Sequence, residues 1–135
     1  MKSTEFITEA SRNFVIDPGF TKFYNDDDED LGRKLVNVKV QAFDKMWKTG
    51  PYANQYIGPN GAGNVIKNRY QAFGDWLSKT SEPVFASTVG VDEDGTVSFY
   101  NGRHRYAWLR DHGYNVIPMA MDPYSIKNAK KYGII

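Results

Sequence analysis

Residues 84–113 constrain the fold more than any other stretch of the chain. Two extended runs, 84–91 and 96–100, flank Asp94-Gly95, a dipeptide that favours a hairpin turn. Asn101-Gly102 breaks the second run. Residues 103–112 then read as a helix, with Tyr106, Ala107 and Leu109 towards the core, and Gly113 stands where a helix stop belongs. A hairpin that feeds straight into a helix calls for a sheet with a second layer packed against it. The expected class is α/β in the α+β sense, a small mixed sheet with packed helices.

The flanking segments fit that expectation. Residues 36–40 alternate apolar and polar, the period of a half-buried strand. Residues 42–47 read as a short helix stopped by Gly50-Pro51. Between 65 and 77, Val65, Ile66, Tyr70, Phe73 and Leu77 recur at helical spacing, with Asn64 as cap and Ser81-Glu82-Pro83 as terminator. Residues 115–121 form an apolar run of strand length. Pro118 lies inside it, and because proline donates no ladder hydrogen bond an edge strand or a bulge is expected. Residues 125–131 read as a last short helix. A chain of 135 residues fits one domain, with residues 34–122 as its core. Residues 1–33 form an N-terminal extension of weak pattern, in which Phe14-Val15-Ile16 is stopped by Asp17-Pro18-Gly19. The acidic run at 25–30 reads as a solvated loop, with a metal site or a nucleic-acid-like surface as the sharper alternatives.

Chemistry concentrates at Asn101-Gly102-Arg103-His104-Arg105-Tyr106-Ala107. The first N–H groups of a helix have no partner inside it and carry partial positive charge, so a phosphate binds there readily. Gly102 lets a ligand approach the backbone. Arg103 and Arg105 can offer paired donors to phosphate oxygens, and His104 can donate, accept or titrate near neutrality. Successive first-turn residues point in different directions, which leaves two of the three to face one ligand. The competing readings are a surface turn with solvated arginines and, for His104, a purely structural histidine.

The run from Asn101 to Met121 resembles the core motif of the ParB/sulfiredoxin-like superfamily, which shows a glycine, a basic or His-rich turn, an arginine, a small residue in the helix, a glycine after it and an Ile-Pro strand. Gly102, His104, Arg105, Tyr106 and Ala107 match the sulfiredoxin form, and Arg103 stands at its cysteine position. The resemblance takes in the hairpin and the strand near 36–40, and hardly reaches the N-terminal third. It implies a ParB/sulfiredoxin-like single domain that binds nucleoside phosphates or DNA at this turn. The chain has no cysteine, so sulfinic acid reduction is not expected, and with no room for the family's DNA-binding domain after Ile135 ParB-style centromere binding is not expected either.

A second candidate is the glycine-rich loop at 58–64, which leads into a helix carrying Lys67 and Arg69. Gly61, Gly63, Asn64 and Lys67 could cradle phosphate, although a plain surface loop is the stronger reading. It is not a Walker A loop, which needs Gly-Lys-Ser/Thr where this chain has Gly-Asn. Trp47, Trp76 and Trp108 read as core residues before base-stacking platforms.

The leading expectation is a nucleotide-phosphate-binding protein with magnesium-dependent hydrolysis or phosphotransfer. Arg105 and Gly102 hold phosphate in that reading, Arg103 neutralises developing charge, His104 is the acid/base or orienting group, and magnesium arrives with a nucleoside di- or triphosphate. No metal-ligand cluster is expected. A DNA-binding protein or nuclease, and a phage- or plasmid-type accessory protein acting on a host protein, are the alternatives. With 17 basic and 16 acidic residues, the near-zero net charge counts against broad coating of nucleic acid. The N-terminus lacks a signal-like apolar run, so no membrane contact and a cytoplasmic location are expected.

Overall fold

The computed structural model describes residues 13–17, 32–63, 66 and 68–135. The acidic run at 25–30, Asn64 and Lys67 lie outside the described residues. A four-stranded mixed sheet forms the centre, in the order β2–β8–β6–β7. It is built from β2 (Lys34–Lys39), β6 (Thr88–Val91), β7 (Val97–Asn101) and β8 (Val116–Met121). The β2–β8 and β6–β7 pairs are antiparallel, and β8 meets β6 in parallel through Thr88 and Ala120. The fold is thus α+β with a small mixed sheet, as the patterning requires.

Helix α1 (Val40–Thr49) buries Val40, Phe43 and Trp47, one stripe at three- and four-residue spacing. Helix α2 (Arg69–Lys79) buries Tyr70, Phe73 and Leu77, and α3 (Arg103–Asp111) buries His104, Tyr106, Ala107 and Leu109. Rings from α1, β7 and α3 meet edge to face: Phe43 to Tyr106 at 5.1 Å and Phe43 to Phe99 at 5.5 Å between centroids. This aromatic contact fixes α3 against the sheet, and with it the helix start that carries Gly102. Helix α4 (Pro123–Lys131) begins at Asp122, whose carboxylate accepts the Ser125 N–H at 2.8 Å, with Pro123 in the first helical position. Its Ser125 hydroxyl accepts the Val91 N–H and its Asn128 amide donates to the Val91 carbonyl, so side chains close the end of β6.

Three expectations change. Residues 84–91 are not one strand. Val84–Phe85 forms a separate β5, paired in parallel with β1 (Phe14–Val15), and Ala86-Ser87 turns the chain into β6. A parallel partner from far away in sequence overrides the local pattern. The helix expected at 65–77 begins only at Arg69, because Asn68 adopts a left-handed conformation (φ 59°) and Asn64 therefore is not its cap. Strand β8 is interior in the sheet despite Pro118. Its ladder to β6 is confined to the Thr88–Ala120 pair, so beside Pro118 the β6 side asks for no donor and the strand is locally one-sided.

Among the described residues no helix is long and apolar enough to cross a membrane.

Candidate functional site

Gly102 is the geometric key to the start of α3. It sits at φ 86°, where a side chain is disfavoured, and a Cβ there would lie 2.6 Å from the Ser87 hydroxyl oxygen and 2.8 Å from Arg105 Nη2. The Ser87 hydroxyl donates to the Gly102 carbonyl at 2.7 Å, pinning the turn to the chain between β5 and β6. No side chain caps the helix. The Arg105 guanidinium folds back over this glycine, and its Nε and Nη2 are buried without hydrogen-bond partners. Buried cationic donors without partners are costly, because the desolvation of each is uncompensated. Burial pulls the Arg105 pKa below its ordinary value, and the charge of Asp17 pushes the other way.

These groups open on a cleft of about 590 Å³ between α2, α3 and β5. Arg69, Gly102, His104 and Arg105 line its polar side. Phe73, Trp76 and Phe85 form an apolar wall, and Glu82 supplies the carboxylate in the lining. Trp76 and Phe85 are 39% and 46% exposed, unusual for such large rings, so the wall is available to a ligand. Trp47 is buried as expected, whereas Trp76 faces this cleft instead of the core.

His104 is itself buried. Its Nε2 accepts the Ile66 N–H at 3.1 Å, which places any proton of the neutral ring on Nδ1. Burial, and then the charges of Arg103, Arg69 and Arg105, hold its pKa down at about 4. At neutral pH it is therefore an uncharged ring that ties the approach to α2 onto the start of α3. Arg103 points away from the cleft lining: its Nη1 donates to the Gln55 carbonyl at 3.0 Å. Burial and the nearby Arg69 lower its pKa.

The tip of the glycine-rich loop, at Asn60, reaches the other end of α3. It forms a minimal hairpin of β3 (Ile57–Gly58) and β4 (Ala62–Gly63), and the Asn60 N–H donates to Asp111 Oδ2 at 2.9 Å. Gly61 packs on the Tyr70 ring, and Gly63 approaches the Tyr56 carbonyl. Helix α3 spans roughly 12 Å from Arg103 to Asp111 at 1.5 Å per residue. The structure thus brings Gly102 and Arg105 together with Arg69, and does not bring Gly61 or Gly63 to the same cleft.

What the loop caps is a polar network that the sequence reading missed. Asp44 of α1 accepts from Tyr56 at 2.5 Å, Tyr106 at 3.0 Å and Arg110 Nη1 at 2.9 Å. Arg110 Nε also meets Asp111 Oδ1 at 2.9 Å, and Asp111 Oδ2 takes the Tyr70 hydroxyl at 2.7 Å. Burial and then the Asp44 hydrogen bond push the Tyr56 pKa up to about 12. Burial opposes the charge on Arg110, and the two carboxylates outweigh it. The network closes the C-terminal end of α3 while its N-terminal end stays open. Adjacent Arg110-Asp111 was the available signal in the sequence, but pairing across α1 required the fold.

Among the described residues no group of three or more His, Asp or Glu side chains could hold a metal ion. Comparison with protein-family models, with curated proteins and with solved structures gives no match.

Proposed function

We propose that the cleft binds a nucleoside phosphate, with the phosphate against the Gly102 turn, Arg105 and Arg69, and the base on Trp76 and Phe85. One observation carries this reading: the Arg105 guanidinium sits over an uncapped helix start with Nε and Nη2 buried and unpartnered. An anion completing those donors would offset the cost of burying them. The exposed rings give a flat surface on which a base can stack, a contact worth about 1–3 kcal/mol. The likeness of the Gly102–Ala107 run to the ParB/sulfiredoxin-like superfamily supports the same ligand class.

Within this proposal the residues divide by what they touch. Arg105 and Arg69 hold the phosphate charge. His104, uncharged and bonded to the Ile66 N–H, orients the turn rather than moving a proton. Arg103, bonded to the Gln55 carbonyl, adds positive potential from behind. Magnesium carried in by a nucleotide would find Glu82 as the carboxylate in the lining, in keeping with a cation held mostly by phosphate oxygens. Bound magnesium would supply charge neutralisation for hydrolysis or phosphotransfer.

Calorimetry with ATP, ADP, CTP and GTP tests the proposal, with the Arg105→Ala protein alongside. Binding by at least one nucleotide, lost in the variant, is the expected result. No binding by any of the four, or equal binding by the variant, would overturn it. Release of phosphate from the bound nucleotide in the presence of Mg²⁺ then distinguishes a hydrolase from a binding protein.

A further inference from the structure

Two walls of the cleft run away from the helix start, and both put Glu82 at the far end. Along α2, Arg69, Ala72, Phe73 and Trp76 share one face, so Trp76 stands roughly 10 Å from Arg69 at 1.5 Å per residue. The chain leaves α2 after Lys79 and comes to Glu82, whose N–H donates to the Thr80 hydroxyl oxygen at 3.1 Å. On the facing wall the chain runs from Glu82 through Phe85 to Ser87, and the Ser87 hydroxyl donates to the Gly102 carbonyl at the helix start. The rings of Trp76 and Phe85 thus come between the anion groups and Glu82. Glu82 is exposed, and among the described residues its carboxylate has neither a hydrogen bond nor an ion pair.

We propose that Glu82 is the base-reading residue of the cleft and selects guanine. This inference rests on the reading of the cleft as a nucleoside-phosphate site. A ligand held by its phosphate at Gly102 and Arg105, with its base on Trp76 and Phe85, turns the outer edge of that base towards Glu82. An ionised carboxylate offers two acceptor oxygens and no donor. Guanine meets it with two adjacent donors, N1–H and the N2 amine, so each oxygen takes one charge-assisted hydrogen bond. Adenine and cytosine present one amine beside a ring nitrogen acceptor, and uracil one N–H between two carbonyls, so the second oxygen faces an acceptor. A base edge and a phosphate-bound magnesium ion are alternative partners for this one carboxylate, and its distance from the helix start favours the base. Magnesium on the phosphates then keeps water in its remaining positions.

The test titrates GDP, ADP, CDP, UDP and IDP into the parent protein, Glu82→Gln, Glu82→Ala and Arg105→Ala, each with EDTA and with Mg²⁺. IDP carries hypoxanthine, which keeps N1–H and lacks the N2 amine. GDP should bind the parent roughly tenfold tighter than ADP, CDP or UDP, the scale of one bidentate pair against a wrong base. IDP should fall between GDP and ADP. Both Glu82 variants should lose the preference for GDP and keep the ADP affinity of the parent, with or without Mg²⁺. Equal binding of the five nucleotides by the parent, a preference for another base, or a GDP preference that survives in both Glu82 variants would overturn the base-reading role and leave the phosphate site standing. A loss of affinity in the Glu82 variants for all five nucleotides alike, and only with Mg²⁺, would overturn it by placing Glu82 on the cation. If no nucleotide binds the parent, or Arg105→Ala binds GDP like the parent, the phosphate reading itself fails and base reading with it.

Discussion

The buried, neutral His104 makes the stability of the protein pH-dependent in a defined window. Its pKa is about 4 in the folded state against 6.5 for a free histidine, burial being the main cause and the arginine cluster the second. Between those values the unfolded chain takes up a proton that the folded protein refuses, so stability falls as pH falls. The contribution is intact above pH 6.5, declines through the window and is lost by about pH 4. A difference of about 2.5 at about 1.36 kcal/mol per pH unit gives a loss of roughly 3 kcal/mol. That is a large share of the 5–15 kcal/mol typical of a domain. Carboxylates titrate in the same range, so the comparison has to be with His104→Gln, which keeps an acceptor for the Ile66 N–H and cannot titrate. Urea unfolding of both proteins at half-unit steps from pH 7.5 to 4 should show the parent losing about 3 kcal/mol relative to the variant. Proton NMR of the His104 ring should place its titration near pH 4. Parallel stability curves, or a ring that titrates at 6.5 or above, would refute the account of its burial. A phosphate bound beside it offsets the arginine charges, so saturating ligand should move that titration upwards, and Arg105→Ala should abolish the ligand effect.

Three further perturbations follow from the same contacts. Gly102→Ala places a Cβ against Ser87 and Arg105 at a left-handed backbone; a loss of about 2–4 kcal/mol in chemical denaturation is expected, and a loss under 0.5 kcal/mol would contradict the geometry. Asp44→Ala removes the acceptor of Arg110 Nη1 and of the Tyr56 and Tyr106 hydroxyls while Arg110 keeps Asp111, and urea melts should record about 2–3 kcal/mol of destabilisation with phosphate affinity of the surviving folded protein little changed. Gly74→Ala would put a Cβ 2.3 Å from the Trp108 indole nitrogen at the α2–α3 contact, so a thermal midpoint lowered by several degrees is expected, and an unchanged midpoint would show that the two helices slide apart freely.

The sheet, its hairpin and the four helices of the described residues were legible because their patterns are local, although α2 starts at Arg69 rather than at 65. Val36 to Val40 alternates, Asp94-Gly95 turns, and Asn101-Gly102 ends a strand and starts a helix within two residues. What stayed hidden depends on partners distant in sequence. The pairing of Phe14 with Val84 split an apparent strand, and no property of residues 84–91 alone shows that. Pro118 argued for an edge, and the structure satisfies proline by leaving one side of an interior strand unpaired instead. At the site, Gly102 and Arg105 were visible from the helix-start argument. Arg69, Trp76 and Phe85 were not assigned to it, because α2 and β5 approach the turn only in three dimensions. Trp76 looked like core material, and the actual core ring at that spacing is Phe73. Ser87 carried no signal at all, although its hydroxyl sets the Gly102 turn.

The two ends of α3 differ in how their charge is balanced. At its C-terminal end Arg110 lies between Asp44 and Asp111, and three tyrosine hydroxyls donate to those carboxylates, so the cation there is paired within the fold. At its N-terminal end the helix dipole already favours anions, yet the chain adds Arg103 and Arg105 and brings Arg69 alongside, each disfavoured there by roughly 0.3–1 kcal/mol. A fold selected for stability alone would place a carboxylate in that first turn, and none of the first-turn residues is acidic. His104 responds by giving up its own charge, and the negative charge of Asp17, just beyond β1, favours the charged form of Arg105. Local rules broken at one spot, with compensation drawn from distant segments, are expected where a protein keeps a binding site. The excess positive charge at the open end of α3 is thus an argument for an anionic ligand that stands apart from any likeness of its sequence.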